Sequence, residues 1–147
     1  MEQLVQMLRQ AFANNFTLYL KSHNYHWTIS GPDFPEYHAF LEEIYDAFQD
    51  AIDMYAEKMR QIGAYPQGDY RDIVANTQIE DPVDTVTDYS TIFQNLLADM
   101  DIQITQLKAT YDAADAASEY GVENFLAERI DEIRQFQWKI QAILGGE

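Results

Sequence analysis

The sequence has no cysteine among its 147 residues. Disulfides, thiolate nucleophiles and zinc–thiolate sites are therefore excluded, and any metal site has to use nitrogen and oxygen ligands. Basic residues are scarce as well: 9 lysines and arginines face 25 aspartates and glutamates, which gives a formal net charge of −16. A surface of this sign repels the phosphates of nucleic acids and anionic membranes, and it attracts cations.

Long apolar runs are also missing, since no stretch reaches the roughly 18 consecutive apolar residues that suggest a transmembrane helix. The N-terminal segment MEQLVQMLRQAFANNF has neither the basic region nor the apolar region of a signal peptide. These features predict a soluble cytoplasmic protein that has no membrane partner. The length predicts a single domain spanning 1–147, which is enough chain to bury one sizeable core.

Proline and glycine are few, and they divide the chain into long segments. The breaks lie at 30–35, 62–69, 80–84 and Gly121, and the segments between them span roughly 25–30 residues, well above the mean helix length of about 11. Apolar residues recur in them every three or four positions, as on one face of a helix. The second segment shows this pattern most clearly, at Leu41, Tyr45, Phe48, Ile52, Tyr55, Met59 and Ile62.

Four amphipathic segments, each with one face to bury, predict an all-α four-helix bundle. The first two helices are joined by a few residues, whereas about 20 residues separate the second helix from the third, and a connection that long usually has structure of its own. The stretch DYRDIVANT at 69–77 predicts a short helix there. One long crossover connection is the ferritin-like variant of the four-helix bundle.

Candidate metal ligands recur at helical spacing in the second segment. His38 and Glu42 form one pair four residues apart, and Asp53 and Glu57 form another, so each pair lies on one helical face. At about 100° per residue, the four positions fall within an arc of about 100° that points away from the apolar stripe. Imidazole and carboxylate ligands without thiolate suit iron, zinc or manganese. On geometry alone, a solvated acidic face is an equal alternative.

The two pairs lie about 22 Å apart along the helix axis, at about 1.5 Å per residue, so one ion cannot contact both pairs within one chain. Two copies of the helix, antiparallel about a two-fold axis near Phe48, would bring the His38–Glu42 pair of one copy against the Asp53–Glu57 pair of the other. An isologous contact of this kind creates two equivalent sites per dimer. The spacing therefore predicts metal sites shared between subunits.

The other two histidines lie near the end of the first helix. His26 precedes the turn that leads into the second helix, so we expect it to supply a further nitrogen ligand. His23 lies one turn earlier and points about 60° away from His26. We expect His23 to be a bystander or a residue that supports the ligands.

The stretch HNYHWTISGPDFPEYHAFLEEIYDAFQDAIDMYAEKM resembles the signature of the Dps family, the mini-ferritins named as DNA-binding proteins from starved cells. The residues that carry the resemblance are His26 with Trp27, Gly31, Phe34, His38, Glu42, Asp53 and Glu57. The similarity continues more loosely over the whole chain, including Trp138 in the last helix. By contrast, the sequence contains no Glu-x-x-His motif, which larger ferritins use to build a di-iron site inside one subunit.

The resemblance implies a roughly spherical cage of twelve identical subunits. It also implies ferroxidase centres between two-fold-related subunits, with ligands from one chain at His26, His38 and Glu42, and from its mate at Asp53 and Glu57. Such centres oxidise Fe(II), characteristically with hydrogen peroxide, with dioxygen as the other oxidant, and the cage stores the ferric mineral. Zinc or manganese are possible substitutes for iron. The alternative is a cage that has lost efficient catalysis and sequesters metal or acts structurally.

Other expectations concern residues around these centres. Trp27 is either a radical sink beside the metal site or a large packing residue. The acidic residues between the third and fourth helices either line a three-fold pore that admits iron or form a solvated helix end: Asp112, Asp115, Glu119 and Glu123. The net charge and the lack of a basic arm predict no appreciable DNA binding at physiological salt.

Overall fold

The computed structural model describes residues 1–81 and 84–145. Its helices are, in chain order, α1 (Glu2–Thr28), α2 (Phe34–Gln61), α3 (Tyr70–Asn76), α4 (Tyr89–Ala116) and α5 (Tyr120–Ile143). No β-strand occurs within these two ranges. The predicted all-α bundle with a short helix in its long crossover is therefore confirmed. Within the same ranges, no helix is both long and apolar enough to cross a membrane.

The core lies between the four long helices. On α2 the side chains of Leu41, Ile44, Phe48, Ala51, Tyr55 and Met59 are buried. Helix α1 packs against α2, α3 and α4, and α4 packs against α5. Helix α2 also meets α5, where the Tyr55 and Phe125 rings lie edge to face, 5.0 Å apart. Each large apolar side chain that is fully buried contributes about 1.5–3 kcal/mol, so these faces hold the bundle together.

Two helix boundaries differ from the sequence-based expectation. The apolar pattern of the third long segment extends back to Val86, but α4 begins at Tyr89, because the Asp88 side chain accepts a hydrogen bond from the Thr91 amide at 2.9 Å and caps the helix. Gly121 was expected to be a break, but it lies inside α5. The turn there falls at Ser118 instead, which has a φ of 57°. Residues 82–83, in the middle of the expected third break, lie outside the described residues.

Helix α1 anchors the long crossover at 62–88. The Asn14 amide donates to the Gln78 side chain at 2.8 Å, and its oxygen accepts from the Gln78 backbone amide at 2.7 Å. The Lys21 ammonium donates to the Glu80 carbonyl at 2.7 Å and pairs with the buried Asp99 of α4 at 2.6 Å. Lys21 and Asp99 are buried, and together these contacts hold the crossover against α1.

The turn between α1 and α2 is short and well defined. Gly31 has a φ of 124°, which a residue with a side chain rarely adopts, and a proline in the first turn of α2 suits the start of a helix. The Thr28 hydroxyl donates to the Val86 carbonyl at 2.7 Å, and the Ser30 amide donates to the Thr87 carbonyl at 3.0 Å. The last turn of α1 is thereby held beside the first turns of α2.

Candidate metal centre

The short turn brings His26 of α1 and His38 of α2 into direct contact. Their rings are stacked, with centroids 3.6 Å apart and planes 15° from parallel. Each ring Nδ1 lies 2.7 Å from the backbone carbonyl oxygen of the other histidine. A carbonyl oxygen only accepts, so each Nδ1 donates its hydrogen. In a neutral imidazole this leaves the Nε2 lone pair free, which is the arrangement usual for metal-bound histidines.

The end of α1 explains this pairing. The His26 carbonyl lies in the last turn of α1, where carbonyls lack the amide partners that they have inside a helix. The Ser30 amide, four residues on, donates to Thr87 instead. The His38 ring fills the vacant place and thereby caps α1 with a side chain from α2. One contact therefore both ends a helix and orients two candidate ligands.

The other predicted ligands lie on the outside of α2. Glu42, Asp53 and Glu57 are exposed, whereas His26 is buried and His38 is half-buried. The expectation that the acidic residues face away from the bundle core is confirmed. Within residues 1–81 and 84–145, no three histidine, aspartate or glutamate side chains lie close enough together to hold one metal ion. A single chain thus joins the two histidines, and separately two carboxylates, but does not bring the five residues together.

The Asp53 and Glu57 side chains interact with each other. A side-chain hydrogen bond that Asp53 accepts, followed by the negative charge of Asp53 and the partial loss of solvent, raises the pKa of Glu57. Two carboxylates one helical turn apart repel each other when both are ionised, and a shared proton relieves the repulsion. A bound cation would relieve it more fully, so this pair is suited to hold a metal ion.

An aromatic cluster surrounds the histidine pair. The His23 ring stacks on Tyr45 at 3.9 Å and lies tilted against Trp27 at 4.2 Å, and its Nδ1 lies 3.2 Å from the Tyr19 hydroxyl. Tyr45 in turn stands edge-on to His26 at 5.1 Å. Burial, followed by the nearby His26, lowers the pKa of His23. His23 is thus held by aromatic contacts beside the two candidate ligands.

Tyr19 and Tyr45 are neighbours of the site that were not predicted from the sequence. Tyr45 lies seven residues after His38, which is two helical turns on the same face, and Tyr19 lies one turn before His23. This spacing was the signal that could have identified them. Trp27 is 62% exposed, so it lies outside the core of the single chain.

Of the four acidic residues around the α4–α5 turn, the structure brings two together. The side chains of Asp115 and Glu123 are joined by a hydrogen bond, which is the largest cause that raises the pKa of Glu123. Asp112 is exposed on α4, and Glu119 is the residue that precedes α5. A negatively charged pair therefore spans the α4–α5 turn.

Comparison with known proteins gives consistent matches over nearly the whole chain. The family model described as Ferritin-like domain matches residues 5–146. The DNA protection during starvation protein of Helicobacter pylori is 25% identical over 140 residues, which cover 95% of this chain and 97% of the relative. General stress protein 20U of Bacillus subtilis is 27% identical over 144 residues, covering 98% of this chain and 99% of the relative.

A solved structure is equally similar. The crystal structure of the Dps protein from Vibrio cholerae O1 superposes with a TM-score of 0.92 at 28% identity, covering 97% of this chain and 89% of that one. That protein is described as a member of a broad superfamily of ferritin-like diiron-carboxylate proteins. The four-helix bundle with its long crossover is thus shared with a protein of that superfamily.

Proposed function

Because the chain belongs to the ferritin-like family, and within it to the Dps proteins, we propose that it oxidises Fe(II) at centres shared between subunits and stores the ferric product in a dodecameric cage. The observation that carries this proposal is the reciprocal bonding of His26 and His38, which leaves two Nε2 lone pairs free. The diiron-carboxylate description of the Vibrio cholerae relative supports iron as the metal. Zinc and manganese, which accept the same ligand types, are proposed substitutes.

The carboxylate ligands of each centre come, in this proposal, from two chains. Glu42 lies one turn after His38 in the same chain, and Asp53 and Glu57 come from a second copy. Their exposure on the outer face of α2 supports this arrangement, since that face is open to a partner. An isologous contact about a two-fold axis completes two centres at once.

The stacking of the two imidazoles favours one iron ion on each ring. A ring nitrogen binds a metal in the plane of its ring at about 2.0–2.1 Å. The planes of His26 and His38 are nearly parallel, with ring centroids 3.6 Å apart, so one ion cannot lie in both planes. Two ions held on the same side would be separated by about 3.5–4 Å, which is the usual spacing of two-metal centres.

Two Fe(II) ions at one centre match the electron demand of hydrogen peroxide. Each Fe(II) loses one electron, and the peroxide takes up both electrons and two protons and leaves as two water molecules. Because both electrons are delivered at one place, no hydroxyl radical is released. The exposed carboxylates Glu42, Asp53 and Glu57 stabilise the additional positive charge of the Fe(III) product. The match in electron number supports peroxide over dioxygen as the oxidant. It also supports protection against oxidative damage as the outcome.

The charge of the protein supports uptake and storage of cations. A subunit with a net charge of −16 draws iron toward it, and Asp115 and Glu123 form a paired acidic site suited to a pore. The same charge disfavours nucleic acid, so we propose that the protein shows no appreciable DNA binding. Tight retention of plasmid in a gel shift at about 0.15 M salt would contradict that. A cytoplasmic location stays a prediction.

The activity is tested by adding Fe(II) and then peroxide to the purified protein without oxygen and following ferric absorbance. His26→Ala and Asp53→Ala should oxidise iron much more slowly than the wild type. Asp131→Ala, which removes an exposed carboxylate of α5, should match the wild type. Equal and slow oxidation by the wild type and both site variants would overturn the catalytic proposal and favour a cage that only sequesters metal.

A further inference from the structure

A pair of tyrosines joins the start of α2 to the start of α4. The Tyr37 and Tyr89 rings are stacked with centroids 5.2 Å apart and planes 22° from parallel. Phe93 stands edge-on to Tyr37 at 5.5 Å and limits its rotation. Within residues 1–81 and 84–145, no other aromatic contact joins two tyrosines.

We propose that Tyr37 and Tyr89 are a modification site, at which an intrachain carbon–carbon cross-link forms when the protein oxidises Fe(II) in the presence of excess hydrogen peroxide. This inference rests on the proposed function for its oxidant. Each phenol loses one electron and one proton, and the two ring radicals join through carbons next to their hydroxyl-bearing carbons. The peroxide takes up the two electrons and two protons and becomes two water molecules, so the step is balanced.

The geometry of the pair suits this coupling. Nearly parallel rings at this separation are offset-stacked, so the two phenol rings are held in contact with each other. Holding two reactants in contact replaces a bimolecular encounter with a local one. Tyr19 and Tyr45 each have an aromatic contact with His23, and within residues 1–81 and 84–145 neither ring stacks on another tyrosine ring.

Groups near the two rings can accept the protons that the phenols lose. Asp33 lies one helical turn before Tyr37. The phenol of Tyr37 has to release its proton when it is oxidised. The carboxylate of Asp33 is the adjacent group that can accept this proton. Tyr89 is 41% exposed, so its proton can pass to water.

The position of the pair gives the cross-link a structural effect. Tyr37 directly precedes His38, and the segment before Tyr89 is hydrogen-bonded to the α1–α2 turn through Thr87. A link between residues 37 and 89 would fix the ends of α2 and α4 that flank the histidine pair. Because it closes a loop in the unfolded chain, it should also raise the thermal midpoint. The pair would thus consume excess oxidant and stiffen the subunit where the oxidant is used.

Two oxidation reactions test the proposal on the intact assembled protein. In the first, Fe(II) and excess peroxide are added. In the second, iron is absent. Visible light, a tris(bipyridyl)ruthenium(II) photo-oxidant and persulfate then oxidise the tyrosines directly. Peptide mapping by mass spectrometry then searches for the peptide of Tyr37 joined to the peptide of Tyr89 with the loss of two hydrogen atoms. A denaturing gel should show the linked subunit still running as a single chain.

Tyr37→Phe and Tyr89→Phe should each abolish the link in both reactions while keeping the ring contact. Tyr120→Phe, which removes a phenol that is 70% exposed on α5, should leave it unchanged. If no link forms under light, the two rings are not placed to couple, and the proposal is overturned. A link under light but none with iron and peroxide would show that the iron reaction does not drive it; if that sample still oxidises iron, the proposed function stands.

Discussion

At the scale of single residues, we propose two tasks for each of His26 and His38. Each ring donates from Nδ1 to the backbone of the other histidine, and each keeps Nε2 for a ligand. Asparagine places its amide nitrogen as many bonds from the backbone as Nδ1, but it has nothing in the position of Nε2. Substitutions can therefore separate the structural task from the metal-binding one.

His26→Asn should keep the hydrogen bond to the His38 carbonyl and lose the ligand. We expect its stability to stay near that of the wild type, whereas its affinity for Fe(II) or Zn(II) should fall by more than about tenfold, which is the loss that even a residue supporting a ligand can cause. His26→Ala loses both features and should be less stable by about 1–3 kcal/mol. Urea unfolding and metal titration of the two variants measure the two effects. If the two variants were equally stable, the hydrogen bond from His26 to the His38 carbonyl would not contribute to stability.

The carboxylate pair should make the metal-free protein sensitive to pH. The pKa of Glu57 is raised in the folded chain, so the folded state binds more protons than the unfolded state as pH rises from the ordinary glutamate pKa through the raised one. Stability therefore falls across this window. Asp53→Asn removes the repulsion, so its thermal midpoint at neutral pH should exceed that of the wild type, and the difference should vanish in acid. A difference that persists in acid would point to another cause.

Residue types and spacing predicted the candidates but not their contacts. The positions of His26 and His38 follow from two helices and a short turn, so their approach could be expected from the sequence. Their bonding partners are backbone carbonyls, which carry no sequence signal. The aromatic packing of His23 between Tyr45 and Trp27 depends on how the helices rotate against each other, and side-chain spacing within one helix does not fix that rotation.

At the scale of the elements, the crossover is held by a buried ion pair. Lys21 and Asp99 are nearly sequestered from water, and the Lys21 ammonium also bonds the Glu80 carbonyl of the crossover. Removal of one partner leaves a buried charge without its counter-charge, whereas an apolar pair of similar size is tolerated. Removing Lys21 or Asp99 alone should therefore cost more stability than replacing both with apolar residues.

Lys21→Met should destabilise the protein by about 3–5 kcal/mol, because Asp99 is left without its cation. The double variant Lys21→Met/Asp99→Leu should recover most of that loss. Urea unfolding at a fixed protein concentration measures both, and limited proteolysis should show faster cleavage within 62–88 in the single variant. If the double variant is as unstable as the single one, the cost comes from the lost bond to the crossover rather than from the unpaired charge.

The helices themselves were largely predictable, because each long segment has one periodic apolar face. What spacing could not give was the start of α4, since the apolar pattern extends back to Val86 while the Asp88 cap places the first turn at Tyr89. The short helix α3 was predictable from its composition. Its docking on α1 was not, because it includes a polar contact between Gln6 and Asn76, which are 70 positions apart.

At the scale of the whole molecule, the acidic pair at the α4–α5 turn should affect how iron reaches the centres. Glu123→Gln removes a charge but keeps a group that can hydrogen-bond Asp115, so assembly should be unchanged while iron uptake slows several-fold. Glu128→Gln, an exposed position on the same helix, should behave as the wild type. Stopped-flow oxidation with size-exclusion control measures this. An unchanged rate for Glu123→Gln would remove the pair from the uptake route.

The central claim is that each metal centre needs two chains, one supplying His26, His38 and Glu42 and the other supplying Asp53 and Glu57. A variant with His26→Ala and His38→Ala, and another with Asp53→Asn and Glu57→Gln, should each be inactive alone. When the two are co-assembled in equal amounts, every mixed two-fold contact regains one complete centre.

The decisive measurement is therefore the initial rate of Fe(II) oxidation by peroxide in these mixed assemblies. For random mixing at isologous contacts, half the contacts are mixed and each has one of two centres restored, so the rate should recover to about a quarter of the wild-type value. Mixed assemblies of normal size that stay as inactive as their two parents would contradict the shared centre.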